Sequence, residues 1–229
     1  MGWPKIVGSR RQIFNLCLLM SKGVYAVRFN TDGSLLALAS QATVQLWDVQ
    51  SGKIGITLEG MGTSVGSVAF NHDSSRVAAV ARNGKLGIWD VKSGESRRLI
   101  DAGSNSGLKT VAFSSDGKHI AAGGRSGLFT IWNATTGKRI HEIKHSLSGT
   151  DSINSVAYSF DGKYLASGSN SGSVRIWDAN SGEAIHTLKS GLSRINHRIN
   201  SVKFSPDSRL IAAGSSKGIE IWTTASHEE

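Results

Sequence analysis

A chain of 229 residues with 26 Lys and Arg, 17 Asp and Glu, one Cys and two Pro can bury a sizeable core as one β-rich domain without disulfides or metal. Its net charge of +9 favours solubility and weak attraction to polyanions, and specifies no fold. The lone Cys17 excludes an internal disulfide framework and points to a reducing compartment, the cytoplasm or the nucleus. The apolar stretch Ile13 to Met20 contains Asn15 and is far shorter than a membrane span. No small-x-small cleavage site follows Arg10-Arg11, and Ile6 stands where a myristoylation signal needs Ser or Thr.

The first predicted element is a strand-like run from Gln12 to Leu18. A repeat follows. Trp47, Trp89, Trp132, Trp177 and Trp222 lie 42, 43, 45 and 45 residues apart, and a period of this size marks a repeat architecture. Each Trp is preceded by alternating apolar residues: Val44 and Leu46, Leu86 and Ile88, Phe129 and Ile131, Val174 and Ile176, Ile219 and Ile221. Period-2 alternation over a short run predicts a strand. About twenty residues upstream of each Trp, runs such as Val24 to Phe29, Val65 to Phe70 and Leu108 to Phe113 lead into turns. Those turns read Asn30-Thr31-Asp32-Gly33, Asn71-His72-Asp73-Ser74, Ser114-Ser115-Asp116-Gly117, Ser159-Phe160-Asp161-Gly162 and Ser205-Pro206-Asp207-Ser208. Asp can bond backbone two residues on, and Gly supplies positive φ. A second run follows each turn. After the Trp, another Gly turn at Gly52, Gly94, Gly137 or Gly182 leads to a fourth. Each unit therefore predicts four short antiparallel strands, a to d.

Trp47-Asp48, Trp89-Asp90 and Trp177-Asp178, with the turns Phe113-Ser114-Ser115-Asp116-Gly117 and Phe204-Ser205-Pro206-Asp207, resemble the WD40 repeat. The resemblance runs over roughly residues 12 to 224 in five in-phase copies. It implies an all-β fold, a β-propeller with one blade per repeat. We expect a single domain over 1–229, with blade cores near 24–59, 65–100, 108–144, 153–189 and 199–224. The last copy stops after Trp222, before a strand d. The run 12–18 is therefore expected to complete the fifth blade and close the ring, which would remove exposed sheet edges. The alternatives are an open arc that needs other blades, a fragment of a longer protein, or self-association of an incomplete ring; for the run 12–18 itself the alternative is an N-terminal extension or short helix.

Well-formed blades of the family resemble a template in which the Trp, a Ser or Thr on strand b, an Asp in the b–c turn and a His before strand a share hydrogen bonds. Here the Asp positions read Asn83, Ser126, Ser171 and Lys217, and Gly-His appears only as Gly60-Met61. The network is expected to be absent throughout.

Catalytic and metal motifs dissolve in this context. His141-Glu142-Ile143-Lys144-His145 has H-E-x-x-H spacing, but on a strand its two His lie about 13 Å apart along the chain, too far to share a zinc. Gly62-Thr63-Ser64-Val65-Gly66 opens a strand rather than a strand-to-helix elbow. A glycosidase would need converging carboxylates, and none of the strand-a runs holds Asp or Glu. We expect no enzyme, no cofactor and no metal.

Function then falls to loops and channel mouths on a rigid scaffold. By resemblance, partners of the family touch the face where strand a begins and the b–c turn lies. Residue by residue, that face holds Tyr25, Arg82, Lys109, Arg125, Asn154, Asn170, Arg198 and Asn200. Four are basic and none acidic, which suits an acidic or phosphorylated protein partner. A solvated surface is the plain alternative, and nucleic acid or anionic lipid is the rival ligand, although no dense basic run supports it.

Overall fold

The structure, a computed structural model, describes residues 23–103, 107–145, 151–189 and 198–224. Among them every regular element is a strand, and the strands form five sheets. The first sheet is β1 (Ala26–Phe29), β2 (Leu35–Ala39), β3 (Val44–Asp48) and β4 (Lys53–Leu58). The second is β5 (Val65–Phe70), β6 (Arg76–Ala81), β7 (Lys85–Asp90) and β8 (Ser96–Asp101). The third is β9 (Leu108–Phe113), β10 (His119–Gly124), β11 (Leu128–Asn133) and β12 (Arg139–Lys144). The fourth is β13 (Ile153–Tyr158), β14 (Tyr164–Ser169), β15 (Ser173–Asp178) and β16 (Ala184–Lys189). The fifth has three strands among the described residues, β17 (Ile199–Phe204), β18 (Leu210–Ser215) and β19 (Gly218–Thr223). All pairings are antiparallel between consecutive strands, the up-and-down meander expected from the repeat. The closing strand expected at 12–18 lies outside the described residues.

The a–b turns hold for the reason their composition gives. In the first, Asp32 accepts the Ser34 N–H at 2.9 Å while Asn30 Oδ1 accepts the Leu35 N–H at 2.9 Å. In the third, Ser114 Oγ donates to Asp116 at 2.6 Å and accepts the His119 N–H at 2.9 Å. Where Gly33, Gly117 and Gly162 supply the left-handed residue, the second and fifth turns use Ser74 (φ 59°) and Ser208 (φ 61°). That conformation strains a non-Gly residue by on the order of 1 kcal/mol. The hydroxyl compensates: Ser74 Oγ accepts the Thr31 N–H at 3.1 Å, and Ser208 Oγ accepts the Asp161 N–H at 3.0 Å. Each bond ties one sheet to the turn of the sheet before it.

The core is four clusters, one between each pair of consecutive sheets. They share one plan. The two apolar residues before the Trp of one sheet pack on the Val, the aromatic and the Trp of the next. Leu86 and Ile88 meet Val111, Phe113 and Trp132; Val174 and Ile176 meet Val202, Phe204 and Trp222. Each fully buried large aliphatic contributes roughly 1.5–3 kcal/mol. Hydroxyls stitch the inner strands as well, Thr110 accepting the Val156 N–H at 3.1 Å and Ser155 the Val202 N–H at 3.0 Å. The five inner strands β1, β5, β9, β13 and β17 all line one cavity of 720 Å³ that opens among the a–b turns, so the sheets are arranged about a common axis.

The fourth sheet corrects the expectation of an absent polar network. His145 is fully buried, with Nδ1 at 2.7 Å from Ser167 Oγ and Nε2 at 2.8 Å from Ser173 Oγ, and Trp177 Nε1 donates to Ser167 Oγ at 2.8 Å. Three of the four template parts are therefore present, with Ser173 taking the second imidazole nitrogen. The determinant is Ser167. Register places Leu38, Ala79, Ala122 and Ala213 at its position in the other sheets, where no hydroxyl can meet the indole. In the second sheet the substitution is wholly apolar, with buried Met61 packed in the cluster of Ala79 and Trp89.

Candidate functional site

The strand-a entries and b–c turns converge on the mouth opposite the a–b turns, and they bring most of the predicted residues together. Lys109, at the second position of β9, reaches one sheet onward: its Nζ donates to Ser152 Oγ at 2.7 Å and to Asn154 Oδ1 at 3.2 Å. Asn154, the equivalent position on β13, reaches onward in turn, its Nδ2 donating to Asn170 Oδ1 at 2.8 Å and to the Ile199 carbonyl at 2.9 Å. The long side chains at this position thus form a relay from the third sheet through the fourth to the fifth.

Cations gather over the relay. Lys109 is half-buried, and its ammonium is held below the usual lysine range first by burial, then by Arg125, Arg198 and Arg82. Among the described residues no carboxylate acts on it in the opposite sense. The Arg82 guanidinium sits 5.8 Å from the centre of the exposed Tyr25 ring, a cation–π contact. Arg125 lies against Gly107, where an added Cβ would come within 3.0 Å of its Cδ; Gly107 also has φ 47°, so the residue beneath the arginine is glycine for two reasons. Asn200 is exposed on β17 and has no part in the relay. Asp151, an acid in the connection to β13, is buried and turned into the fourth sheet, where it accepts the Ser171 N–H at 2.8 Å and the Ser171 hydroxyl at 2.5 Å, while Glu59 and Asp101 are exposed at the outer d-strand ends.

Ser152 falls on this face by its repeat position, two residues before Asn154; what the repeat does not give is its bond to Lys109, one blade back and 43 residues earlier. Lys85 is an omission, at the start of β7 with Nζ 3.5 Å from the Gly60 carbonyl.

The opposite mouth is different in kind. The a–b turn acids Asp32, Asp73, Asp116, Asp161 and Asp207 all titrate below the usual aspartate range and bond within their own turns. In the cavity behind them, Lys203 is depressed by burial and then by Arg28. The H-E-x-x-H residues part company: His141 Nε2 meets the Asn180 carbonyl at 2.8 Å while His145 enters the fourth-sheet network. Among the described residues no group of three metal-ligating side chains forms, and no helix is long and apolar enough to cross a membrane.

Compared with known proteins, the chain matches the family model described as "WD domain, G-beta repeat" five times, over residues 17–48, 52–90, 96–133, 137–178 and 182–223. It is 35% identical over 79 residues to "Periodic tryptophan protein 2 homolog" of Schizosaccharomyces pombe, a match to 34% of this chain and 9% of that protein. It is 31% identical over 78 residues to "Protein tipD" of Dictyostelium discoideum (34% of this chain, 13% of that protein). It is 31% identical over 68 residues to "THO complex subunit 6" of Arabidopsis thaliana (30% and 18%). The matched segments thus span 9% to 18% of the length of these relatives.

Proposed function

Because the chain belongs to the WD domain, G-beta repeat family, we propose that it is a non-enzymatic protein-interaction scaffold whose basic mouth receives an acidic or phosphorylated segment of a partner protein. One observation carries the reading: Arg82, Arg125 and Arg198, from the second, third and fifth sheets, gather around Lys109 of the third, whose ammonium is tied to Ser152 and Asn154, and among the described residues no carboxylate acts on it. Such a group stores repulsion that a bound anion relieves, and Arg offers forked donors suited to carboxylate and phosphate. Asn154 and Asn170 fix the lysine's height, so the site is held by the scaffold rather than by the ligand. The acids of the a–b turns are engaged in their own turns, which favours a binding role over acid–base chemistry. One relative is by its name a subunit of a complex, in keeping with a scaffold. A site in the cytoplasm or nucleus goes with this reading, as does the lone Cys17.

The test is fluorescence anisotropy with a labelled acidic peptide and its phosphothreonine version. Arg82→Glu, Arg125→Glu and Arg198→Glu combined should weaken binding at least tenfold. Equal affinity in the triple variant refutes the face. Nucleic acid is separated by an oligonucleotide titration over a salt series, where it would give a steep slope of log K on log salt. Tyr25, the aromatic of this mouth, lies beside Arg82, which leaves little stacking surface for bases.

A further inference from the structure

The four internal seams provide their own control for the two end faces. In each, the pair of apolar residues preceding the Trp is covered: Val44 and Leu46, Leu86 and Ile88, Phe129 and Ile131, and Val174 and Ile176 are all at most 2% exposed. The same pair on the fifth sheet, Ile219 and Ile221, is 73% and 63% exposed. The receiving half shows the same contrast. Val68, Val111, Val156 and Val202 are buried, as are Phe113 and Phe204, yet their counterparts on the first sheet, Val27 and Phe29, are 46% and 62% exposed. Leu38 and Trp47 of that sheet are buried, so the bare portion is its inner strand. The first and last sheets share the central cavity through Arg28 and Lys203, but they do not share a face.

We infer that these two faces are the two halves of an interface with a second copy of this chain: Ile219 and Ile221 of one copy pack on Val27 and Phe29 of the next. The occupant is identified by the seams themselves. Strand-c aliphatics against strand-a Val and aromatic is the pairing found four times among the described residues, and one half of each kind, Ile219 with Ile221 and Val27 with Phe29, is left exposed. A copy docked in this way continues an interface the fold already makes. The contact is head-to-tail rather than two-fold, since different patches meet, and such contacts build rings or longer arrays. Four exposed large apolar side chains on two sheet faces are what such an interface would cover. This inference is independent of the basic mouth.

The experiment is light scattering and sedimentation of the purified chain across a concentration series. The wild-type mass should rise with concentration to twice the chain mass and beyond. Ile221→Glu removes one half-face and Phe29→Glu the other, both at exposed positions, so each variant should keep the wild-type circular dichroism and run as a monomer alone. Mixed in equal amounts, they should form a one-to-one pair, because the intact half of each completes the other. Ile219→Lys with Val27→Lys repeats the design should either first variant fail to fold. A wild-type chain that stays monomeric throughout overturns the inference, whether its faces close on each other or receive another protein. So does a mixture of variants that stays monomeric, or a single variant that associates like wild type.

Discussion

His145 gives the sharpest quantitative test of the fold. Its ring sits between Ser167 and Ser173 with no exposure, and Ser167 already accepts the Trp177 N–H. The arrangement that satisfies every group has the Ser167 hydroxyl donating to Nδ1 and the Nε2 proton going to Ser173. A second proton on Nδ1 would displace the Ser167 hydrogen from its acceptor. Burial lowers the imidazole from 6.5 to about 4; Asp151 pulls it back up and Arg175 pushes it further down. The folded value lies below the unfolded one, so the unfolded chain binds the proton more readily as pH falls through that window. Stability is unaffected above about pH 6.5 and is lost on acidification toward pH 4. A shift of this size amounts to about 3 kcal/mol in full, of which roughly 2.5 kcal/mol is lost by pH 4.5. The turn aspartates, whose folded values are lowered from 3.8, lose their contribution mainly as pH falls below about 4.5, and they do so equally in wild type and variant, so the difference between the two isolates His145. Urea unfolding of wild type and His145→Gln at pH 7, 6, 5 and 4.5 measures the effect. The variant starts less stable but should lack most of the decline. Parallel curves for the two proteins would refute the assignment of the acid-sensitive group.

Two further substitutions probe packing. Ser74→Ala keeps the strain at φ 59° and loses the bond from Thr31, so it should cost about 1 kcal/mol in urea unfolding, whereas Ser74→Gly relieves strain as it loses the bond and should lie near neutral. Gly87→Ala places a Cβ 2.0 Å from the Trp89 ring, which is folded over the glycine; the indole must move, and a loss of about 1–3 kcal/mol with a changed tryptophan emission is expected.

The sheets, their strand order and the turn chemistry were legible because period-2 runs and Asp-Gly turns recur in phase with the Trp. The basic mouth was legible for the same reason, since equivalent positions in successive repeats must share one end of the barrel of sheets. Two things were not. Repeat position puts Ser152 on this face, but its bond to Lys109 was not legible, because a per-blade reading assigns each side chain to its own blade. His145 was hidden by its position: it follows β12 directly and precedes β13 by eight residues, so it reads as the end of a strand rather than as the start of the next blade's network. The serine that completes it, Ser167, is a small residue among small residues in the sequence, and only the indole N–H opposite gives it a role.

Fastening the fourth sheet with an imidazole while its neighbours rely on aliphatic contacts has a consequence for how the molecule comes apart. In a stack where each layer touches only adjacent layers, opening begins where a layer has one neighbour and proceeds inward. Among the described residues the layer holding His145 and Trp177 packs on a sheet on either side, whereas the fifth packs on the fourth alone, so the fifth can peel away while the latched one still resists. Amide protons on β14 should then outlast those on β18, making the chain's protection against solvent lopsided rather than symmetric about its middle.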